Sequence, residues 1–296
     1  WQYADNGTVA GISGAVDSFE RPVFGGFAPT PVWSNGGSLV LGAGGTIIGA
    51  DIRADGGTDQ ALGGTLVMLD PRLSQNSTNT SFNAVSAEMI EKAGFSTFEA
   101  LGSITSIGDV DLKLDRAFIL ASRPVIDIGT LNTQAGRDAL APVISSAGVM
   151  QIEAPYIRFD SGVQSVSTPL LGDPHKNTAI FKADTIDISG AVVFDRSIDD
   201  VQLIASGDLR LTGVQPYQHV FATGDQTVAN SLIGGLAVNG DLAITAGQVY
   251  PTTGSTFTIT SSASDGRITF ARASDDTPSA PYSAGGDLTV QAAEIV

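Results

Sequence analysis

The chain has 296 residues, with 15 basic against 31 acidic side chains, a formal charge of -16 and a pI near 4.2. Such a field repels phosphate backbones and anionic membranes, so nucleic acid is not an expected partner. Hydrophobic residues make up 42% and charged residues 16%, too apolar for a disordered chain, and there is no cysteine for a disulfide or a thiolate metal site.

No run approaches the roughly 20 apolar residues of a membrane-spanning helix, so membrane insertion is not expected. The longest clean apolar stretches, such as TLVML at 65–69, are strand-sized. The chain opens on Trp1 with no signal segment, which reads as an interior or processed piece of a longer protein.

Residues 1–35 read as an amino-terminal arm or cap, with GTVAGISGAVDSFERP (7–22) as an extended arm along the body that follows. Trp1, Tyr3, Phe24, Phe27 and Trp33 cluster here among glycines and prolines. Exposed, these rings would make a sugar-stacking or partner-contact patch; buried, they would cap the first rung of a solenoid, whose open end bares core and strand edges.

From residue 36 to 296 the chain repeats one small unit, a glycine corner followed by an alternating apolar strand: GGSLVLG (36–42), GGTLVML (63–69), GDVDLKL (108–114), GDLRLTG (207–213), GDLAITA (240–246) and GDLTVQA (286–292). In GDLRLTG, Leu209 and Leu211 point one way while Asp208, Arg210 and Thr212 point the other. One face is buried and one is wet. Gly207 can take a positive φ at the corner, and Asp208 can hydrogen-bond the local backbone as the strand begins.

Two all-β architectures use such a unit, a β-helix and a β-sandwich. Sandwich hairpins favour Asn-Gly or Asp-Gly loops. Here glycine precedes aspartate, and strands follow one another across short bends, as in VQLIASGDLRLTG (201–213), which suits successive faces of a coil. The intervals between units are irregular, which excludes a short strict period but not rungs of roughly 20 to 30 residues with variable loops. Ten to a dozen rungs, in a rod on the order of 50 Å, are expected.

One segment departs from strands. SAEMIEKAG (86–94) offers Ser86 as N-cap, Glu88 and Lys92 matched to the helix dipole and Gly94 as the stop, predicting a short helical excursion near 86–94. NTQAGRDALAPVISSAG (132–148) is a second excursion, broken by Pro142.

Chemistry-bearing residues are sparse. Asp51, Asp55 and Asp59 fall four apart in GADIRADGGTDQ (49–60), without an EF-hand loop or a calcium nonapeptide. Turn chemistry accounts for them; Asp55 and Asp59 are the candidate ligands if calcium is held, and no other cofactor is implied. Asp199 with Asp200, Asp275 with Asp276, and Arg267 or Arg272 are the candidates for a hydrolase or lyase site. Neighbours on a strand point to opposite faces, so neither Asp-Asp pair is expected to flank a sugar by itself. His175 and His219 have no spacing motif; the first reads as a loop residue, the second as packed beside Tyr217 and Phe221.

The units over 36–58, the stretch GFSTFEALGSITSIGDVDLKL (94–114) and the phrase MQIEAPYIRF (150–159) together resemble the filamentous-haemagglutinin-like exoproteins of two-partner secretion in Gram-negative bacteria. The resemblance covers residues 36 to 296. It implies a right-handed parallel β-helix, an interior or carboxy-terminal part of a large adhesin threaded unfolded through an outer-membrane transporter. A lack of cysteine is similar to that family, since periplasmic disulfides would obstruct passage; no Asn-Pro-Asn motif of its secretion domain occurs here.

The expected function is therefore a non-enzymatic structural segment of a secreted or surface-displayed bacterial adhesin or fibre, acting by projection and by binding host-cell or neighbouring-cell glycans or proteins. A β-helical polysaccharide lyase or glycoside hydrolase is the alternative from a different class. A third is a filament subunit associating end to end.

Overall fold

In the computed structural model the described residues are 2–4, 8–16, 22–31, 34–42, 44–47, 51–58, 61–76, 81–123, 141–164, 176–215 and 232–296, the first three stretches as backbone only. Those three are β1 (Gln2–Ala4), β2 (Thr8–Val16) and β3 (Pro22–Pro31), an antiparallel sheet with β2 in the middle. Of the arm expected over 1–35, these strands pair with one another.

The chain then winds round three faces. β4 (Ser38–Leu41) and β5 (Gly64–Leu69) lie on the first, β6 (Arg72–Ser74) and β7 (Ala84–Ser86) on the second, and helix α1 (Ala87–Lys92) follows. β8 (Phe95–Leu101) returns to the first face, β9 (Ser103–Ser106) to the second, and β10 (Val110–Lys113) opens the third. The next circuit is β11 (Ala117–Ala121), β12 (Val143–Ser145) and β13 (Val149–Glu153). β14 (Tyr156–Asp160) is on the first face and β15 (Asn177–Ala183) on the third. β16 (Thr185–Ser189) and β17 (Ala191–Phe194) lead into β18 (Ile198–Thr212), whose first half lies on the third face and whose second half bends onto the first.

β19 (Leu232–Val238) continues the second face, and β20 (Asp241–Pro251) splits between third and first as β18 does. β21 (Ser255–Ser261), β22 (Arg267–Arg272), β23 (Asp287–Gln291) and β24 (Glu294–Ile295) complete the second and third faces.

Among the described residues every strand pair from Ser38 onward is parallel, and only the isolated Val214–Ile233 bridge is antiparallel. The fold is a parallel β-helix, and the sandwich alternative does not form. Among the described residues eight strands stack on the first face, and the third runs two levels beyond it through β22 and β24, which makes ten levels. At rung spacing that is a body of about 45 Å.

Alternation sets the core. On the first face the inward column runs Leu39, Leu66, Phe98, Phe118, Ile157, Ile186, Leu209, Val249, each in register with the next. From Leu66 to Leu209 every member is fully buried, and each such side chain contributes roughly 1.5–3 kcal/mol relative to exposure. Phe98, Phe118, Phe159, Phe181 and Phe194 form one aromatic cluster through the interior, with ring centroids 5.0 to 6.5 Å apart.

The predicted helix forms and its position explains its use. Ser86 caps it by accepting from the Met89 N–H, Ala87 and Ile90 are buried, and Gly94 ends it at φ +78. It lies beside β10, the first strand of the third face. There the Glu91 carboxylate accepts from the Lys113 N–H and the Gln75 side-chain Oε1 from the Asp111 N–H, both at 2.8 Å. An exposed strand edge is thereby closed. Of the second predicted excursion, residues 141–148 include β12 and the rest lies outside the described residues.

Candidate binding face

A continuous polar arrangement runs along the outward side of the first face. One outward column places Arg158, Asp187, Arg210 and Tyr250 on successive rungs; beside it Tyr156 is in register with Thr185, and Asp208 with Gln248. Strand alternation turns all of these away from the core, while Ile157, Ile186 and Leu209 fill it.

The side chains are tied across rungs. Arg210 donates Nε to Asp187 Oδ1 at 2.5 Å and Nη2 to Oδ2 at 2.6 Å, and the Tyr156 hydroxyl donates to the same Oδ2 at 2.7 Å. Asp208 accepts from Gln248 Nε2 at 2.7 Å and from the Tyr250 hydroxyl at 2.8 Å. Arg158 pairs with Asp160 of its own strand at 2.7 Å.

Electrostatics follow from these bonds. Burial, then the bond to Asp187, pushes the Tyr156 phenol up to about 12. Burial, then Asp208, raises Tyr250 as well, against a lowering backbone hydrogen bond from Tyr282. Its bond to Asp187 raises the Arg210 guanidinium above its ordinary value. At neutral pH both phenols are therefore protonated donors rather than bases or nucleophiles. The arginine fork, both hydroxyls and the Gln248 amide are spent on the face's own carboxylates and Tyr250 is buried, so these bonds chiefly tie neighbouring rungs together.

The residues singled out from sequence are spread over the chain. Trp1, Trp33, Asp59, His175 and His219 lie outside the described residues. Tyr3 is in β1, and Phe24 and Phe27 are in β3, where only the backbone is described. Asp55 is exposed and lines a polar groove of about 690 Å³ with Asp51, Arg53, Glu88 and Lys92. Among the described residues no three His, Cys, Asp or Glu side chains converge on a metal-sized site. Asp275 and Asp276 lie in the exposed segment after β22, where the Asp276 carbonyl accepts from Arg272 Nη2. Arg267 pairs with Glu294 at 2.6 Å.

Asp199 and Asp200 require a correction. Alternation puts neighbours on opposite faces, but the register between β15 and β18 shifts here, with Asn177 opposite Ile198 and Thr178 opposite Asp200. Ile198 and Val201 are both fully buried, so both aspartates are left on the outer surface. A β-bulge inserts one extra residue and breaks the alternation. Asp200 accepts from Gln202 at 2.8 Å and lies in register with Asp241.

Sequence reasoning did not single out Tyr156, Asp187 or Tyr250, and Asp208, read as outward and bonded to the local backbone, instead accepts from Gln248 and Tyr250 of the next rung. Arg210 was legible as an outward residue, but its partner stands 23 positions away, and only coil length brings the two together. The fold and this face define a parallel β-helix with a polar, mutually bonded exterior. The chain matches no known protein-family model, no curated protein and no solved structure.

Proposed function

We propose that this chain is a non-catalytic shaft segment of a large secreted or surface-displayed bacterial adhesin or fibre. The observation that carries the reading is the unbroken inward column from Leu66 to Leu209, fully buried at every rung. A solenoid held this way acts as a stiff spacer, since each rung rests on its neighbours and length follows from rung number. The outward pairs, typified by Arg210 with Asp187, bond neighbouring rungs to each other and stiffen the rod further. The resemblance to two-partner-secretion exoproteins, the acidic exterior and the lack of cysteine agree with export through an outer-membrane transporter.

Small-angle scattering of the purified chain, with polysaccharides assayed in parallel for release of new chain ends, tests the reading. An elongated particle with no turnover of any polymer is expected; a compact particle or any turnover overturns it.

The polysaccharide lyase or hydrolase reading is favoured by one observation, the bulge that turns Asp199 and Asp200 outward together beside Asp241. If turnover is found, loss of it in Asp200→Asn and Asp241→Asn would establish that reading.

A further inference from the structure

A groove of about 510 Å³ follows the corner between the third and first faces, crossing three successive rungs. Each rung lends it one side chain per wall: Lys113 and Asp115, then Glu153 and Pro155, then Lys182 and Asp184. Lys113, Glu153 and Lys182 are in register one above another, yet no ion pair joins Lys113 to Glu153 or Glu153 to Lys182 among the described residues. Lys182 donates instead to Gln151 at 3.1 Å. The floor between the walls is apolar, made of Leu114, Ala154 and Ala183.

The groove has a direction. Glu91 of α1 stands at one end, bonded to the Lys113 N–H. Past Asp184, whose carboxylate accepts from Ser206 Oγ at 3.0 Å, the same corner continues through Gly207 and Gly247, which carry no side chains. A ligand lying in it would run along the rod axis and cross the strands. Main-chain groups at the corner are already engaged between rungs: Leu114 N–H to Glu153 carbonyl, Ala154 N–H to Lys182 carbonyl, Asp184 N–H to Pro155 carbonyl. A peptide strand would find no ladder to join. Side-chain carboxylates and ammoniums remain, which suit vicinal hydroxyls that both donate and accept.

We propose that this corner groove binds an uncharged β-1,4-linked polysaccharide, which goes beyond the role as a shaft. Walls that mix three carboxylates with two ammoniums penalise a polymer of either charge, and the field of a chain at -16 repels polyanions further. The rungs step by about 4.8 Å, close to the advance of one sugar along an extended chain. The first and third rungs carry the same Lys and Asp pair while the middle one carries Glu and Pro. Over these three rungs the Lys–Asp pair recurs two levels apart, the spacing at which a β-1,4-linked chain presents rings of the same orientation.

The test is calorimetric titration of the whole chain with a hexamer of β-1,4-linked N-acetylglucosamine, beside a hexamer alternating glucuronate with N-acetylglucosamine and an alternating threonine-valine peptide. Saturable binding of the first alone is expected. Glu153→Ala combined with Lys182→Ala should weaken it by about tenfold or more, the loss of two charge-assisted hydrogen bonds. Arg123→Gln, at the exposed pair with Asp70 outside the groove, should change it by less than about twofold, and circular dichroism checks that both variants are folded. No binding, binding that the groove variant leaves intact, or preference for the anionic hexamer or the peptide would each overturn the proposal. Because the shaft reading is judged on particle shape and turnover, it stands or falls separately.

Discussion

Arg210 holds Asp187 of the preceding rung through both arms of its guanidinium, at 2.5 and 2.6 Å, and the carboxylate also accepts the Tyr156 hydroxyl. The pair is partly exposed, with 34% of the Arg210 side chain and 18% of the Asp187 side chain accessible, so solvent screens it. Arg210→Ala is expected to cost about 1 kcal/mol, between the surface and buried limits. Arg210→Lys should recover less than half, because an ammonium cannot form the fork. Urea unfolding of the three proteins measures this; equal stability of all three would show that the pair is neutral.

Stability should fall at alkaline pH through Tyr156. Its phenol ionises at about 12 in the folded chain against an ordinary 10.0, so the folded state holds its proton more tightly. The stabilisation is fully present below about pH 10 and is lost as pH rises from there to about 12. Ultraviolet titration should resolve a late-ionising tyrosine that Tyr156→Phe removes, and the variant should lose less stability across that window. Ionisation of Tyr156 together with exposed tyrosines would contradict the geometry.

Phe118 sits between Phe98 and Phe181, with centroids 6.0 and 6.1 Å away, and is fully buried. Phe118→Ala should cost about 3–5 kcal/mol through lost burial and the cavity left behind. Phe118→Leu should cost less, because it keeps most of the volume. Denaturant midpoints separate the two, and a mild effect of the alanine variant would mean that the neighbouring rungs close the gap.

Two glycines on adjoining corners should respond oppositely. Gly190 has φ +68, and a methyl group there would clash with the Ser161 carbonyl oxygen. Gly162 has nothing within 4 Å of where its methyl would be. Gly190→Ala is expected to destabilise by at least about 2 kcal/mol, whereas Gly162→Ala should stay within about 0.5 kcal/mol. Thermal unfolding of both variants would expose an error in either corner.

The alternation in GDLRLTG is enough to read Leu209 and Leu211 as core and Arg210 as surface, and all three lie where that pattern puts them. The helix over 87–92 was equally legible, because its cap and its stop are local. Asp199 and Asp200 were not. Their bulge depends on how β18 pairs with β15 of the rung before, and no property of the dipeptide itself records that. The groove walls at Lys113, Glu153 and Lys182 were hidden for the same reason: they stand 40 and 29 positions apart, and coil length alone aligns them.

Gly207, read as a positive-φ corner, lies instead within β18. The sequence by itself therefore determined the kind of fold: short strands with one apolar side, a capped helix and an acidic surface. Each of these is dictated by sterics and hydration within a few residues. Only the tertiary structure decided which outward side chains meet. Cross-rung neighbours are set by register, and register is fixed by the length of every intervening coil and bulge together with the packing of the core that they enclose.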